Sequence, residues 1–211
     1  MNTLSISRKI YGGQSLARIL MNRGFRAYAL RGRVVDVGGG RDPNYFDYFN
    51  TTAMTSKEAI DASLSAIDFE NDSLPYNDES VDTVVCANVL EHVFNHRHLI
   101  VEMHRVLKST GTLVGFVPFL IQYHPDPHDY FRYTKEALVR LFTDAGLVDV
   151  RVETIGGGPF AVNFNNIMLS MPRQIAALFF FIYWPLDCVF LKLRPAARGR
   201  YPLGFIFSAK K

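Results

Sequence analysis

"VVDVGGGRDP", residues Val34 to Pro43, is the stretch on which the reading of this chain turns. An apolar, β-branched run carries one acid, Asp36, and then breaks into three glycines. Glycines directly after a strand allow a tight turn into a helix, or let the main chain lie close against a ligand. A dinucleotide fingerprint would need G-x-G-x-x-G, its third glycine permitting close helix–strand packing. Counted from Gly38, that third position is Pro43, and Asp42 stands where a pyrophosphate wants positive or neutral groups. Asp42 and Pro43 instead make a good helix start, as N-cap and first helical residue. The phosphate-loop pattern is missing as well. The turn suits a ligand that has no phosphates yet needs the backbone close.

Outward from the turn, short β-branched runs alternate with helical patterns. Residues 33–38 read as a strand, 43–49 as a short helix, and 51–56 and 64–69 as two further strands. "VDTVVCAN" (81–88) is a stronger strand, followed by a helix around 96–108 with Leu99, Ile100, Met103, Val106 and Leu107 on one face. The strand 112–118 precedes a helix from Thr134, its cap, to Ala145, with Gly146 placed as a C-terminal cap glycine. Residues 147–155 alternate like a strand, and 203–209 end the sheet. Such alternation means an α/β fold, a mostly parallel sheet covered by helices on both faces. Ligands of such sheets bind beyond the carboxyl ends of the strands.

The chain has 211 residues, of which 48% are hydrophobic, enough for a sizeable core in one domain. The net charge of +3 is unevenly spread. Residues 1–33 hold seven Arg/Lys and no acid, 34–160 hold nine against nineteen Asp/Glu, and 161–211 hold seven against Asp187 alone. Residues 14–30 read as a basic amphipathic helix, so 1–32 form an N-terminal helical segment ahead of a domain at 33–211. The two cysteines, with Cys86 inside an apolar run, fit a reducing compartment, and no signal peptide is evident at the N-terminus, so a cytoplasmic location is expected. The segment 159–200 is an apolar helical insertion. Its core, 175–193, approaches the ~20 residues of a membrane span but is interrupted by Pro185, Asp187 and Lys192. It reads as a lid over an apolar acceptor, as a helix lying on a membrane surface between Arg173, Lys192, Arg194 and Arg198, or as core and dimer packing.

Three longer stretches narrow the reading: "AIDFENDSLPYNDESVDTVVCANVLEHV" (66–93), "EMHRVLKSTGTLVGFVPF" (102–119) and "HPDPHDYFRYT" (124–134). In order and spacing over about residues 33–155, the chain resembles the class I S-adenosylmethionine-dependent methyltransferases, and among them the type 11 domains. S-adenosylmethionine also fits the first turn, being a phosphate-free sulfonium. The resemblance implies a Rossmann-like, seven-stranded sheet with the last strand antiparallel. It implies that Asp36, Gly38 and Gly40 line the methionine half of the cofactor, and that Asp68 accepts from the adenine amino group between Ile67 and Phe69. Asn88 would bridge cofactor and acceptor. The family's acid for the ribose hydroxyls has no clear counterpart in "AMTSKE", where Glu58 is the candidate.

Methyl transfer asks for alignment and exclusion of water, with a general base only where an acceptor must lose a proton. His92, His124 and Asp129 are the candidates, with His128 nearby. The pattern H-x-D-x-H-D invites a metal, but Pro125 and Pro127 hold the segment extended and scatter its side chains, so no metal is assigned. The Asn/Asp-Pro-Pro-aromatic signature of enzymes acting on bases is absent, since Val-Leu-Glu follows Asn88. A small-molecule acceptor, apolar or lipid-linked, is therefore expected, with no nucleic acid. Peripheral membrane contact through 175–193 is open. The competing readings are a non-catalytic binding protein of the same fold and a nicotinamide-dependent oxidoreductase, the latter opposed by Pro43.

Overall fold

The computed structural model describes residues 2–40, 44–62 and 67–211. The expected Asp42–Pro43 helix start and the front of the 64–69 strand lie outside them. Six strands form one sheet: β1 Ala29–Val37, β2 Asn50–Ile60, β3 Val81–Ala87, β4 Leu107–Pro118, β5 Val148–Gly156 and β6 Pro202–Lys210, in the order β2-β1-β3-β4-β6-β5. The helices are α1 Thr3–Tyr11, α2 Leu16–Phe25, α3 His96–Val106, α4 Lys135–Asp144, α5 Pro159–Met168 and α6 Arg173–Leu193. The chain forms two compact units, one of residues 25–118, 123–153 and 205–211, the other of residues 1–24, 119–122 and 154–204.

In the first unit β1 pairs in parallel with β2 and β3, and β3 with β4. Val34, Val35, Val37, Val84 and Val85 have no exposed surface, as expected of central parallel strands covered on both faces. The last strand is antiparallel to β4: Gly111 accepts from the Lys211 N–H, while Gly115, four residues on, faces Phe207, four residues back. Thr134 caps α4 by accepting from the Ala137 N–H, as its position suggested, and Gly146 takes a left-handed backbone at φ 91°.

Two expectations are corrected here. The sheet has six strands among the described residues, not seven. At Asp68 the carboxylate accepts from the Glu70 N–H and the Asn71 amide, both at 2.8 Å, which curls the chain into a turn. The second correction concerns β2, which runs on to Ile60 rather than ending near residue 56. Its register sets Val37 beside Ile60, while Val37 on its other side faces Cys86. The residues that follow these strands, Gly38, Asp61 and Asn88, therefore come out along one edge.

In the second unit the N-terminal region is two helices, not one. They pack with the insertion: Ile6, Ile10, Leu16 and Ile19 share a core with Phe164, Ala176 and Phe180. The Ser7 hydroxyl donates to the Ala177 carbonyl, and Asn165 accepts from the Ala17 N–H. The insertion is α5 and α6 with one 3-10 turn, Pro195–Ala197. Asp187, which looked from sequence like an interruption, is buried, and its carboxylate accepts from the N–H groups of Gly158, Phe160 and Ala161. It satisfies the orphan donors of the first turn of α5.

Candidate functional site

A cavity of about 820 Å³ opens at the carboxyl ends of β1, β2 and β3. Its walls are Gly38, Asp61, residues 67–71, residues 88–94 and the segment from Asp126 to Tyr130. Every part of it lies in the first unit.

The glycine turn is dictated by close approach. Gly38 has φ 80°, and a Cβ there would sit 2.2 Å from Val89 Cγ2. A Cβ on Gly39 would sit 1.9 Å from Asp36 Oδ2. Asp36 itself is fully buried beneath the turn, holding both carboxylate oxygens toward the Tyr45 hydroxyl, which donates at 2.8 Å. Burial pushes its carboxyl up to about 7; the Tyr45 bond and the Lys57 charge pull the other way, and Asp61 adds to the rise. Asp36 thus supports the turn and does not line the cavity. Gly40, at φ 42°, donates its N–H to Asp61 Oδ2 at 3.3 Å.

Of the remaining sequence candidates, Ile67, Asp68, Phe69, Asn88 and His92 all line the cavity. The Asp68 carboxyl lies below its ordinary range because the Asn71 amide and then the Glu70 N–H donate to it. Asn88 adopts φ 57°, a left-handed backbone that swings the chain away from β3. Glu70 ties two walls together, accepting from the Phe94 and Asn95 N–H groups ahead of α3. Glu58 is not among the cavity residues. It sits on β2 in a bidentate pair with Arg33, with Nε to Oε1 at 2.8 Å, and that pair holds its carboxyl below the usual range. The acid at the end of β2 is Asp61, on the cavity wall. Taking β2 to stop near residue 56 hid it; a strand continued through "KEAI" would have pointed to it.

The three proposed bases come together unequally. The rings of His92 and His124 stand edge to face, 5.2 Å apart. His92 Nδ1 donates to the His128 carbonyl at 2.5 Å. Asp129 forms a bidentate ion pair with Arg132, which holds its carboxyl down to about 2. It also accepts from the His124 N–H at 3.0 Å, so it shapes the loop and braces His124. The group missed from sequence is Glu91. Its side chain is wholly buried, and neither oxygen meets a well-aligned hydrogen-bond donor. Burial pushes its carboxyl up to about 8, offset only in part by its own N–H and the Arg132 charge and reinforced by Asp129. An ionisable residue in the apolar run "NVLEHV" was the available signal.

Comparison with known proteins agrees with this architecture. Residues 42–115 match the family model described as a methyltransferase domain. A probable S-adenosylmethionine-dependent methyltransferase of Mycobacterium tuberculosis, found in two strains, is 34% identical over 92 residues, which are 41% of this chain and 34% of that protein. The chain thus spans about a third of the length of the curated relatives it matches. Among solved structures, a methyltransferase in complex with a Haloferax volcanii methyltransferase activator aligns over 90% of this chain and 88% of its own, at 19% identity and a TM-score of 0.57. Phosphoethanolamine N-methyltransferase 2 of Haemonchus contortus, solved with S-adenosyl-L-methionine, aligns over 92% of this chain and 51% of its own, at 14% identity and a TM-score of 0.57. The cyclase SpnF aligns over 93% and 79%, at 16% identity and a TM-score of 0.56. These structural likenesses concern the fold, which by itself does not name a reaction. The sheet is Rossmann-like, and residues 42–115 are the part of the chain that is similar to a methyltransferase domain.

Proposed function

We propose that the protein is an enzyme that moves a methyl group from S-adenosylmethionine to a small-molecule acceptor. The observation that carries this reading is the first turn and its surroundings. Gly38 and Gly39 leave no room for side chains. Two carboxylates, Asp61 and Asp68, lie along the cavity wall. Such a wall suits hydroxyls and an exocyclic amine and repels phosphates. When bound, the cofactor supplies an electrophilic methyl on sulfur. Asp61 would take the ribose hydroxyls, and Ile67 and Phe69 would flank the adenine beside Asp68. Gly38 would admit the methionine portion along the main chain, with Asp36 and Tyr45 stiffening the turn from below. Asn88, His92 and His128 face the acceptor end. Alignment of this kind is worth roughly 7–11 kcal/mol of barrier, so few other catalytic groups are required.

The same reading puts the protein in the cytoplasm, which both free thiols, Cys86 and Cys188, support. It gives α6 a peripheral contact with an anionic bilayer. Ile175, Leu178, Phe179, Ile182, Leu186, Val189 and Leu193 are exposed at helical spacing, and Arg173, Lys192, Arg194 and Arg198 are exposed at its ends. The test of the main reading is a thermal shift with S-adenosylmethionine, S-adenosylhomocysteine and NAD. A stabilising ligand raises the midpoint with the logarithm of its concentration over Kd. Response to the two sulfur ligands is expected. Silence to all three would favour a binding protein without the chemistry, and response to NAD alone an oxidoreductase.

A further inference from the structure

Beside the cavity, and contributed by two separate segments, three donor side chains converge. Glu91 Oε1 lies 3.6 Å from His92 Nε2 and 3.9 Å from His124 Nε2. One donor atom from each residue falls within 4.8 Å of the others. The H-x-D-x-H-D pattern alone concealed this set, because its true partner is not in the loop. It is the "EH" pair just after β3. Only His124 comes from the loop.

We infer that Glu91, His92 and His124 form a binding site for one divalent cation of the zinc, cobalt or manganese class, with an open position toward the cavity. Three features carry this. First, the His128 carbonyl can only accept, so His92 Nδ1 donates to it, and Nε2 is the ring nitrogen turned to Glu91. That nitrogen and Glu91 Oε1 stand 3.6 Å apart with no hydrogen bond between them. Second, the Glu91 carboxylate is wholly buried with no aligned donor for either oxygen. A buried carboxyl with both oxygens lacking a donor asks for a partner, and a cation seated against it would supply one. Third, the rings are braced from behind as ligating histidines are. The His128 carbonyl holds His92, and Asp129 Oδ2 lies 3.5 Å from His124 Nδ1. Arg132 Nη2, which can only donate, also reaches that nitrogen at 3.4 Å, so a cation taking Nε2 of His124 displaces a proton from it.

The separations suit a metal. Ligands about 2.1 Å from a common centre stand about 3.0 Å apart at a right angle and about 3.4 Å at the tetrahedral angle. To reach those values the donors must close from 3.6 and 3.9 Å at Glu91, and from no more than 4.8 Å for any pair. Two imidazoles and one carboxylate with an open position form the donor set of catalytic zinc, and nitrogen ligands disfavour magnesium and calcium. His92 lines the cavity, so the open position is where an acceptor's hydroxyl would be polarised. That role rests on the methyl-transfer reading; occupancy of the site does not.

The test uses the full-length, tag-free protein, stripped with a chelator and titrated with Co²⁺ while the visible absorption is recorded. Bands of low-symmetry cobalt saturating at one equivalent per chain, and lost on adding Zn²⁺, are expected. Glu91→Gln, which keeps the shape of the buried side chain, and His124→Ala should each weaken the apparent affinity at least about tenfold. His104→Ala, a histidine outside the trio, should leave it unchanged. No bands up to millimolar cobalt, or equal binding by both trio variants and the parent, would overturn the site. The S-adenosylhomocysteine thermal shift is read on the same samples. Cobalt binding without that shift would sink the methyl-transfer reading while upholding the cation site, and the converse would do the reverse.

Discussion

Asp36 allows the sharpest quantitative test of how the first turn is built. Its carboxyl is fully buried, with the Tyr45 hydroxyl as donor, Lys57 as a helpful charge and Asp61 as an opposing one. Its pKa is raised from 3.8 to about 7. A group raised in this way binds its proton more tightly in the folded chain than in the unfolded one. Its contribution is fully present below about pH 3.8 and is lost as pH climbs toward 7. Each unit of separation is worth about 1.4 kcal/mol, so the loss approaches about 4 kcal/mol above neutrality. Asp36→Asn removes that titration while keeping an oxygen for the Tyr45 hydroxyl. The new amide N–H groups are buried, which costs about 1–3 kcal/mol at every pH. The variant should therefore be less stable than the parent at pH 4.5 and equal or more stable at pH 8. Urea unfolding at half-unit intervals measures this difference, and Glu91 titrates in both proteins and cancels from it. A difference that stays flat between pH 4.5 and 8 would refute the account of Asp36 as a carboxyl strained by burial.

Three further outcomes are expected. Gly38→Ala places a Cβ 2.2 Å from Val89 Cγ2 on a left-handed backbone, and should lose at least about 1–2 kcal/mol of stability in urea unfolding. Asp61→Ala should abolish or strongly reduce the thermal response to S-adenosylhomocysteine. Glu58→Ala should leave it intact, losing under about 1 kcal/mol of stability for its half-exposed pair with Arg33; the opposite ranking would restore the assignment made from sequence. Leu178→Glu with Leu186→Glu, both exposed on α6, should prevent co-flotation with vesicles containing phosphatidylserine, and a parent protein that never floats would remove the membrane proposal.

The legible part of the fold was the part fixed by local chemistry. The apolar runs of β1 and β3, the Thr134 cap and the Gly146 stop read correctly because each is decided within a few residues. The antiparallel last strand followed from the resemblance, and its pairing with β4 bears it out. What misled was register. An edge strand such as β2 is exposed on most of its length, so its sequence is polar and its end carries no hydrophobic signal. The reading stopped early and named Glu58, whereas the acid that follows β2 on the cavity wall is Asp61. The same blindness to distance hid Glu91. Nothing within "NVLEHV" tells that a loop some thirty residues on brings His124 beside it, and the loop's own pattern suggested partners among its neighbours instead. Asp129 is paired more locally, with the arginine three residues later.

Asp187 bears on what α6 can do. By length and composition that helix is apolar enough to cross a bilayer. Yet the only acid among residues 161–211 projects from its middle and gathers three amide protons at the start of a neighbouring helix. Threading α6 through hydrocarbon would strip that carboxylate of all three and drag it, unpaired, into oil. The helix is moored to its own protein, so whatever grease it meets must come to its outer side.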